Sequence, residues 1–295
     1  MPRGYTTRKL EVFTIFAHVT NGANPPRRVP VDYTAVFSTI SNLAAEARVT
    51  MIGDKNIAIP RCSMNGTLVK ITAYEGEDGN PLVFNFEAGT ERVDTLARGE
   101  QIATKTHGII DTAARLAIIE YNQRGAKAAD IAAALEQFGR VLGDMPTLQM
   151  HFAHRLDEGF IQAIDRFERI RTASVKISRP NPGWGDDEAT FSQMAETSDA
   201  QYLEVSATAG RNASLDRRDG IVGFIRRLAA RAFPSLKAAS VSGIRQGENA
   251  ETSVSTAHHV EHQRVPVRTT EDGHVQSADI DRRLENFHRS KTNGN

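Results

Sequence analysis

Between Asp157 and Pro182 the apolar spacing changes its period, which restricts the chain to folds where a helix leads into a half-buried strand. The run reads DEGFIQAIDRFERIRTASVKISRPNP. Phe160, Ile161, Ile164, Phe167 and Ile170 recur mostly at intervals of three and four, so the spacing predicts one apolar helix face. Asp157 suits the N-cap and Glu158 the first turn, beside the positive end of the helix dipole. Asp165, Glu168, Arg169 and Arg171 fall on the wet side. The period then becomes two. Ala173, Val175 and Ile177 alternate with Thr172, Ser174, Lys176 and Ser178, as in a strand with one buried face. Pro180 and Pro182 cannot donate to a ladder, and Asn181 between them favours a turn.

The same reasoning orders the rest of the chain. A strand is expected at 10–19, then a helix capped by Asp32 with Tyr33, Val36, Phe37 and Ile40 inward. Residues 52–86 read as a small antiparallel sheet, with 82–86 returning against the strand that ends in EGEDGNP. Residues 87–105 are polar and read as a loop or insertion. Strands follow at 116–121 and 147–152, with a helix at 127–138 between them. Beyond Pro182 the expected order is helix 186–196, strand 202–207, helix 219–233, strand 236–244, strands 254–260 and 264–267, and helix 278–287. This pattern predicts an α+β fold with mixed or antiparallel sheets and packed helices, and ferredoxin-like units over 157–207. It also divides the chain into an N-terminal α+β part with the small sheet (1–105), a larger α+β part (106–288) and a disordered tail (289–295).

Composition narrows the function classes. The 36 basic and 36 acidic residues cancel, which argues against a wholly basic nucleic-acid coat but leaves local patches open. A single cysteine, Cys62, excludes an internal disulfide framework and a thiolate cluster, and fits a reducing, cytoplasmic setting. No secretory signal or membrane-length apolar run is visible. P-loop, Rossmann and nucleophile-elbow motifs are absent, and no cofactor is expected.

Charge is distributed unevenly. Residues 182–205 hold six acids and no Lys or Arg, whereas 206–245 hold eight basic residues against Asp216 and Asp219. Arg227 and Arg231 stand four apart on the predicted 219–233 helix, so they share a face. Arg217, Arg218, Arg226, Arg227 and Arg231 are the candidate nucleic-acid-binding residues, because forked guanidinium groups suit phosphate. The alternative is a solvated face that pairs internally with the acidic segment. Trp184, the only tryptophan, is a candidate partner contact in a glycine-flanked loop or, alternatively, a loop anchor on the core. Two histidine motifs, HFAHRLD (His151, His154, Asp157) and HHVEH (His258, His259, His262), are weighed as metal sites. On a strand His151 and His154 point to opposite faces, and no metal site is assigned. Cys62 reads as a small strand-edge residue, and Asp186–Asp187 as helix N-terminal charges.

The run VKISRPNP (175–182), with LAIIEYNQRG (116–125), YLEVSATAG (202–210) and VPVRTTEDGHVQSADIDRRL (265–284), resembles uncharacterised bacterial domain-of-unknown-function families found near anti-phage defence and mobile-element genes. The resemblance spans Leu10 to Phe287 and implies a role in antiviral defence. It supplies no catalytic residues. Three readings follow. The first is a non-enzymatic cytoplasmic protein that binds DNA or RNA, or a nucleic-acid-handling partner, through the basic surface. The second is an assembly subunit making homo-oligomer or partner contacts. The third is a metal-dependent effector nuclease using residues such as Asp157 and His154.

Overall fold

The computed structural model describes residues 4–20, 28–77, 82–85, 90–97, 99–178, 198, 200, 202–230, 236–248 and 250–292. In chain order the strands are β1 (Tyr5–Thr20), β2 (Arg28–Pro30), β3 (Val49–Ile52), β4 (Lys55–Asn65), β5 (Leu68–Glu77), β6 (Leu82–Asn85), β7 (Thr90–Val93), β8 (Ile102–Asp111), β9 (Leu116–Tyr121), β10 (Gln149–His154), β11 (Phe167–Ser178), β12 (Tyr202–Thr208), β13 (Leu236–Arg245), β14 (Glu251–Ser255) and β15 (His262–Arg268). The helices are α1 (Tyr33–Ser41), α2 (Ala128–Val141), α3 (Glu158–Asp165), α4 (Gly220–Ala230) and α5 (Ser277–Thr292). Helices and antiparallel sheets make the fold α+β. No helix of the described residues is long and apolar enough to cross a membrane.

The chain forms two units, interleaved in sequence. Unit 1 comprises residues 1–10, 31–150 and 263–295, and unit 2 comprises 11–30 and 151–262.

Unit 1 is built on the strand order β1-β9-β8-β5-β4-β3, with β15 also against β1. Its central strands are buried at consecutive positions, Ile109 and Ile110 in β8 and Leu116 to Glu120 in β9, so both sheet faces are covered. Asp32 caps α1 as expected: its Oδ1 accepts from Thr34 N at 2.9 Å and Ala35 N at 3.2 Å. The far end of α1 is closed by the buried Arg48, which donates to the carbonyls of Ile40, Ser41 and Leu43. Helix α5 lies against β8 and buries Ile280, Leu284 and Phe287. Polar contacts flank that apolar stripe. Arg61 on β4 reaches Asp281 at 2.6 Å, and Lys70 on β5 pairs with Glu285. The helix continues to Thr292, beyond the expected boundary at Phe287, so residues 289–292, expected in the tail, are helical.

The expected return of 82–86 against β5 does not occur. β5 pairs with β8 from Leu68↔Asp111 to Glu77↔Ile102, and β6 pairs instead with β7. A strand at Ile102–Asp111 therefore begins inside the segment read as a loop, because a central strand can start on polar residues before its apolar run.

Unit 2 holds the sheet β12-β11-β13-β14, paired antiparallel throughout. One face packs Ala173, Val175, Ile177, Ala239, Val241 and Val254 against Phe160 and Ile164 of α3 and Val222, Ile225 and Leu228 of α4. β12 and β13 are both antiparallel to β11, so they run parallel to each other with β11 between them and α4 as the crossover. That arrangement is a split β-α-β connection.

The helix predicted through Ile170 stops at Asp165, and β11 starts at Phe167. Irregular pairing explains the misleading spacing. The β11–β13 register shifts between Phe167 and Arg169 and again between Ile170 and Thr172. Each shift inserts a residue, so Phe167, Ile170 and Ala173 all reach the core at intervals of three within a strand. The strand expected over 254–260 ends at Ser255, where a 3-10 turn at Thr256–His258 takes over. The helix expected at 186–196 lies outside the described residues.

Candidate functional site

Four of the five candidate arginines lie among the described residues. Arg217 is anchored: its Nη2 donates to the carbonyls of Phe167 and Glu168 at the start of β11. Arg226 is also anchored, with Nη1 at 2.5 Å from Asp165 Oδ1, which ties α4 to the end of α3. Arg217, Arg218 and Arg227 are exposed, and Arg226 is half-buried. Arg231 and Trp184 lie outside the described residues, as do Asp186 and Asp187.

The start of α4 brings the Arg218 backbone and the Arg227 guanidinium to one turn. Asp216 Oδ1 accepts from Arg218 N at 2.7 Å and Asp219 N at 2.8 Å, a tight turn that leads into the helix. Those two N–H donors, Asp219 first and Arg218 second, hold the Asp216 carboxyl below its ordinary range. A Cβ at Gly223 would lie 1.9 Å from Arg218 O and 3.6 Å from Arg227 Nη1. The Arg218 backbone thus crosses the first turn of α4 where only glycine leaves room, and the Arg227 guanidinium lies beside the same turn. Arg211 is exposed in the same connecting segment.

The opposite face of the unit 2 sheet carries a second polar feature. The registers align Ser206, Ser174, Ser240 and Ser255 in one row and Thr208, Thr172, Ser242 and Ser253 in the next. Hydroxyls therefore line the sheet on the side away from its core. Beside them Lys176 Nζ lies 4.9 Å from the centre of the Tyr202 ring.

The two histidine motifs run side by side, although they are far apart in sequence. Leu156 bridges Val260, Asp157 N donates to His259 O at 2.8 Å, and Glu261 N donates to Arg155 O at 2.8 Å. Asp157 caps α3 through Phe160 N at 3.1 Å, and the same Oδ1 lies 3.0 Å from His259 Nδ1. His154 packs against the Phe13 ring. His258 closes the 3-10 turn and His262 opens β15, so they do not share a strand face. Among the described residues no three His, Cys, Asp or Glu side chains stand together as metal ligands. Cys62 is buried, and burial pushes its thiol up to about 11, despite an opposing pull from Arg48.

Unit 1 holds a cluster that sequence reasoning passed over. His107 Nδ1 lies 2.8 Å from Glu120 Oε2, and His107 Nε2 lies 3.0 Å from Ser277 Oγ. A second pair, His288 and Asp111, joins α5 to the end of β8. The available signal was a histidine and a glutamate embedded in the apolar runs THGIID and LAIIEY, where a buried polar residue is the informative exception. No family model matches the chain, and a search of curated proteins gives no match.

Proposed function

We propose that unit 2 binds nucleic acid, or a partner that handles it, through the surface at the start of α4. One observation supports this reading: Arg218 and Arg227 add exposed positive charge beside the first turn of α4, next to Arg217 and Arg226, whose guanidinium groups also reach internal acceptors. The anchored pair fixes the local frame, and the exposed pair grips phosphate by charge neutralisation and forked hydrogen bonds. Arg231 is part of the proposed surface from its position four residues after Arg227. The hydroxyl-lined sheet face, with its split β-α-β connection, is the basis of the ferredoxin-like reading of unit 2. The cytoplasmic setting and the bacterial defence or mobile-element context belong to the same proposal, on the resemblance of VKISRPNP and its companion segments. The test is a polarisation titration with labelled single- and double-stranded DNA and RNA at two salt concentrations, with magnesium present. Affinity that falls as salt rises supports the reading, and absence of binding to every probe removes it.

A second reading, an assembly subunit, has its own observation. β3 is an edge strand of unit 1 and exposes Val49 (54 %) and Met51 (63 %) with no charged residue in the strand. Edges of this kind invite pairing with another chain. Light scattering on wild type and Met51→Lys tests it: a salt-tolerant oligomer lost in the variant supports assembly through β3.

A further inference from the structure

Ser277, His107 and Glu120 are arranged as a proton relay. His107 on β8 and Glu120 on β9 lie one step beyond the Gly108↔Ile119 pair, which brings them face to face across the two strands. Glu120 Oε2 receives the His107 backbone N–H at 3.1 Å and lies 2.8 Å from Nδ1. Glu120 Oε1 lies 3.2 Å from Arg8 Nε. Oε2 accepts the His107 backbone N–H and faces Nδ1 as an acceptor, so Nδ1 carries the imidazole proton. In the neutral ring Nε2 is then unprotonated, and its lone pair faces Ser277 Oγ at 3.0 Å. That is the tautomer a general base requires. Exposure follows the same logic: the His107 and Glu120 side chains are 1 % exposed, whereas Ser277 is half-buried and so partly open to solvent. Both heavy-atom distances fall in the range expected for a nucleophile, its base and the group that orients the base.

We propose that Ser277 is a nucleophile activated by His107, with Glu120 as the positioning residue, giving unit 1 an acyl-transfer activity on carboxylic esters. Ser277 Oγ attacks the ester carbonyl carbon while His107 Nε2 takes the hydroxyl proton. The tetrahedral intermediate collapses, the bond to the leaving oxygen breaks, and His107 returns its proton to that oxygen, releasing an alcohol. Water then attacks the acyl-serine with His107 again as base, which releases a carboxylic acid and restores the hydroxyl. The balance is ester plus water to acid plus alcohol, with no redox step. Because α5 begins at Ser277, the positive end of its dipole lies at the nucleophile's own residue. This activity is independent of the binding proposed for unit 2.

The experiment uses the full chain with a fluorophosphonate probe, followed by mass mapping of the adduct and by p-nitrophenyl acetate turnover. The expected result is one adduct on the Ser277 peptide of folded wild type, and none in Ser277→Ala. Glu120→Gln, which can present a donor to Nδ1 and reverse the tautomer, is expected to lower kcat by about 10³- to 10⁴-fold with KM unchanged. A structural role alone would move the unfolding midpoint and leave no adduct to map. Folded wild type that takes up no probe at Ser277 overturns the proposal whether or not the variants fold. So does Ser277→Ala labelled to the wild-type extent.

Discussion

His288 Nε2 stands 2.8 Å from Asp111 Oδ2, and this contact fixes the last turns of α5 to the end of β8. The other oxygen of Asp111 accepts from Ala113 N at 2.9 Å and Ala114 N at 3.0 Å, so one carboxylate closes the turn after β8 and holds a helix. His288→Ala leaves Oδ2 buried without its donor. We expect a loss of about 3 kcal/mol in urea unfolding. His262→Ala, at an exposed position, should change stability by about 0.5 kcal/mol or less.

Acid should weaken the α5 attachment through Glu285. The Lys70 ammonium, by hydrogen bond and charge, holds the Glu285 carboxyl below its ordinary value; burial opposes this, and Arg289 adds to it. A carboxyl whose folded value is depressed stabilises fully above its unfolded value, about 4.3, and loses that contribution as pH falls through the folded value. The two side chains are 27 % and 35 % exposed, so the contribution is about 1 kcal/mol or less. Urea midpoints for wild type and Lys70→Met should differ at pH 7 and converge below the folded value of Glu285.

Cys62 should be inert in the native state. Its side chain is buried on β4 and its thiol is pushed up to about 11, so little thiolate exists at neutral pH. A chromogenic disulfide reagent at pH 7.5 should react only on the timescale of unfolding, and at once in denaturant. Rapid reaction of folded protein would contradict the burial.

Gly243 should tolerate no side chain. A Cβ there would lie 2.1 Å from Arg169 O and 2.9 Å from Ile170 Cα, backbone atoms at the irregular stretch of β11. Gly243→Ala is expected to lose about 3 kcal/mol. Gly210→Ala meets nothing within 4 Å and should change stability by about 0.5 kcal/mol or less. Thermal unfolding of the two variants makes the comparison.

Legibility in the sequence followed how local the physics was. The Asp32 cap, the Leu116–Tyr121 strand and the alternation of Ala173, Val175 and Ile177 depend on near neighbours, and all stand as read. Phe167 and Ile170 misled because the register shifts of β11 imitate helical spacing, and they are set by pairing with β13, far along the chain. The partner of β5 was missed for a similar reason: turn residues after Glu77 suggested a hairpin, but burial of both sheet faces favoured β8. At the candidate site, the arginine-rich segment was visible as charge. Which arginines are anchored was not, because Asp165 and the Phe167 carbonyl reach them only through tertiary packing. Ser277 and His107 stand 170 residues apart, with residues 151–262 of unit 2 between them in sequence, so no motif could join them.

The most direct test of the binding account compares Arg218→Glu/Arg227→Glu with Arg226→Ala on the same labelled nucleic acids. The account predicts that the double variant loses affinity and shows a shallower salt dependence with an unchanged unfolding midpoint. Arg226→Ala should instead lower the midpoint, by about 1 kcal/mol of stability, and retain binding. Equal binding by wild type and the double variant, or no binding by wild type, would contradict it.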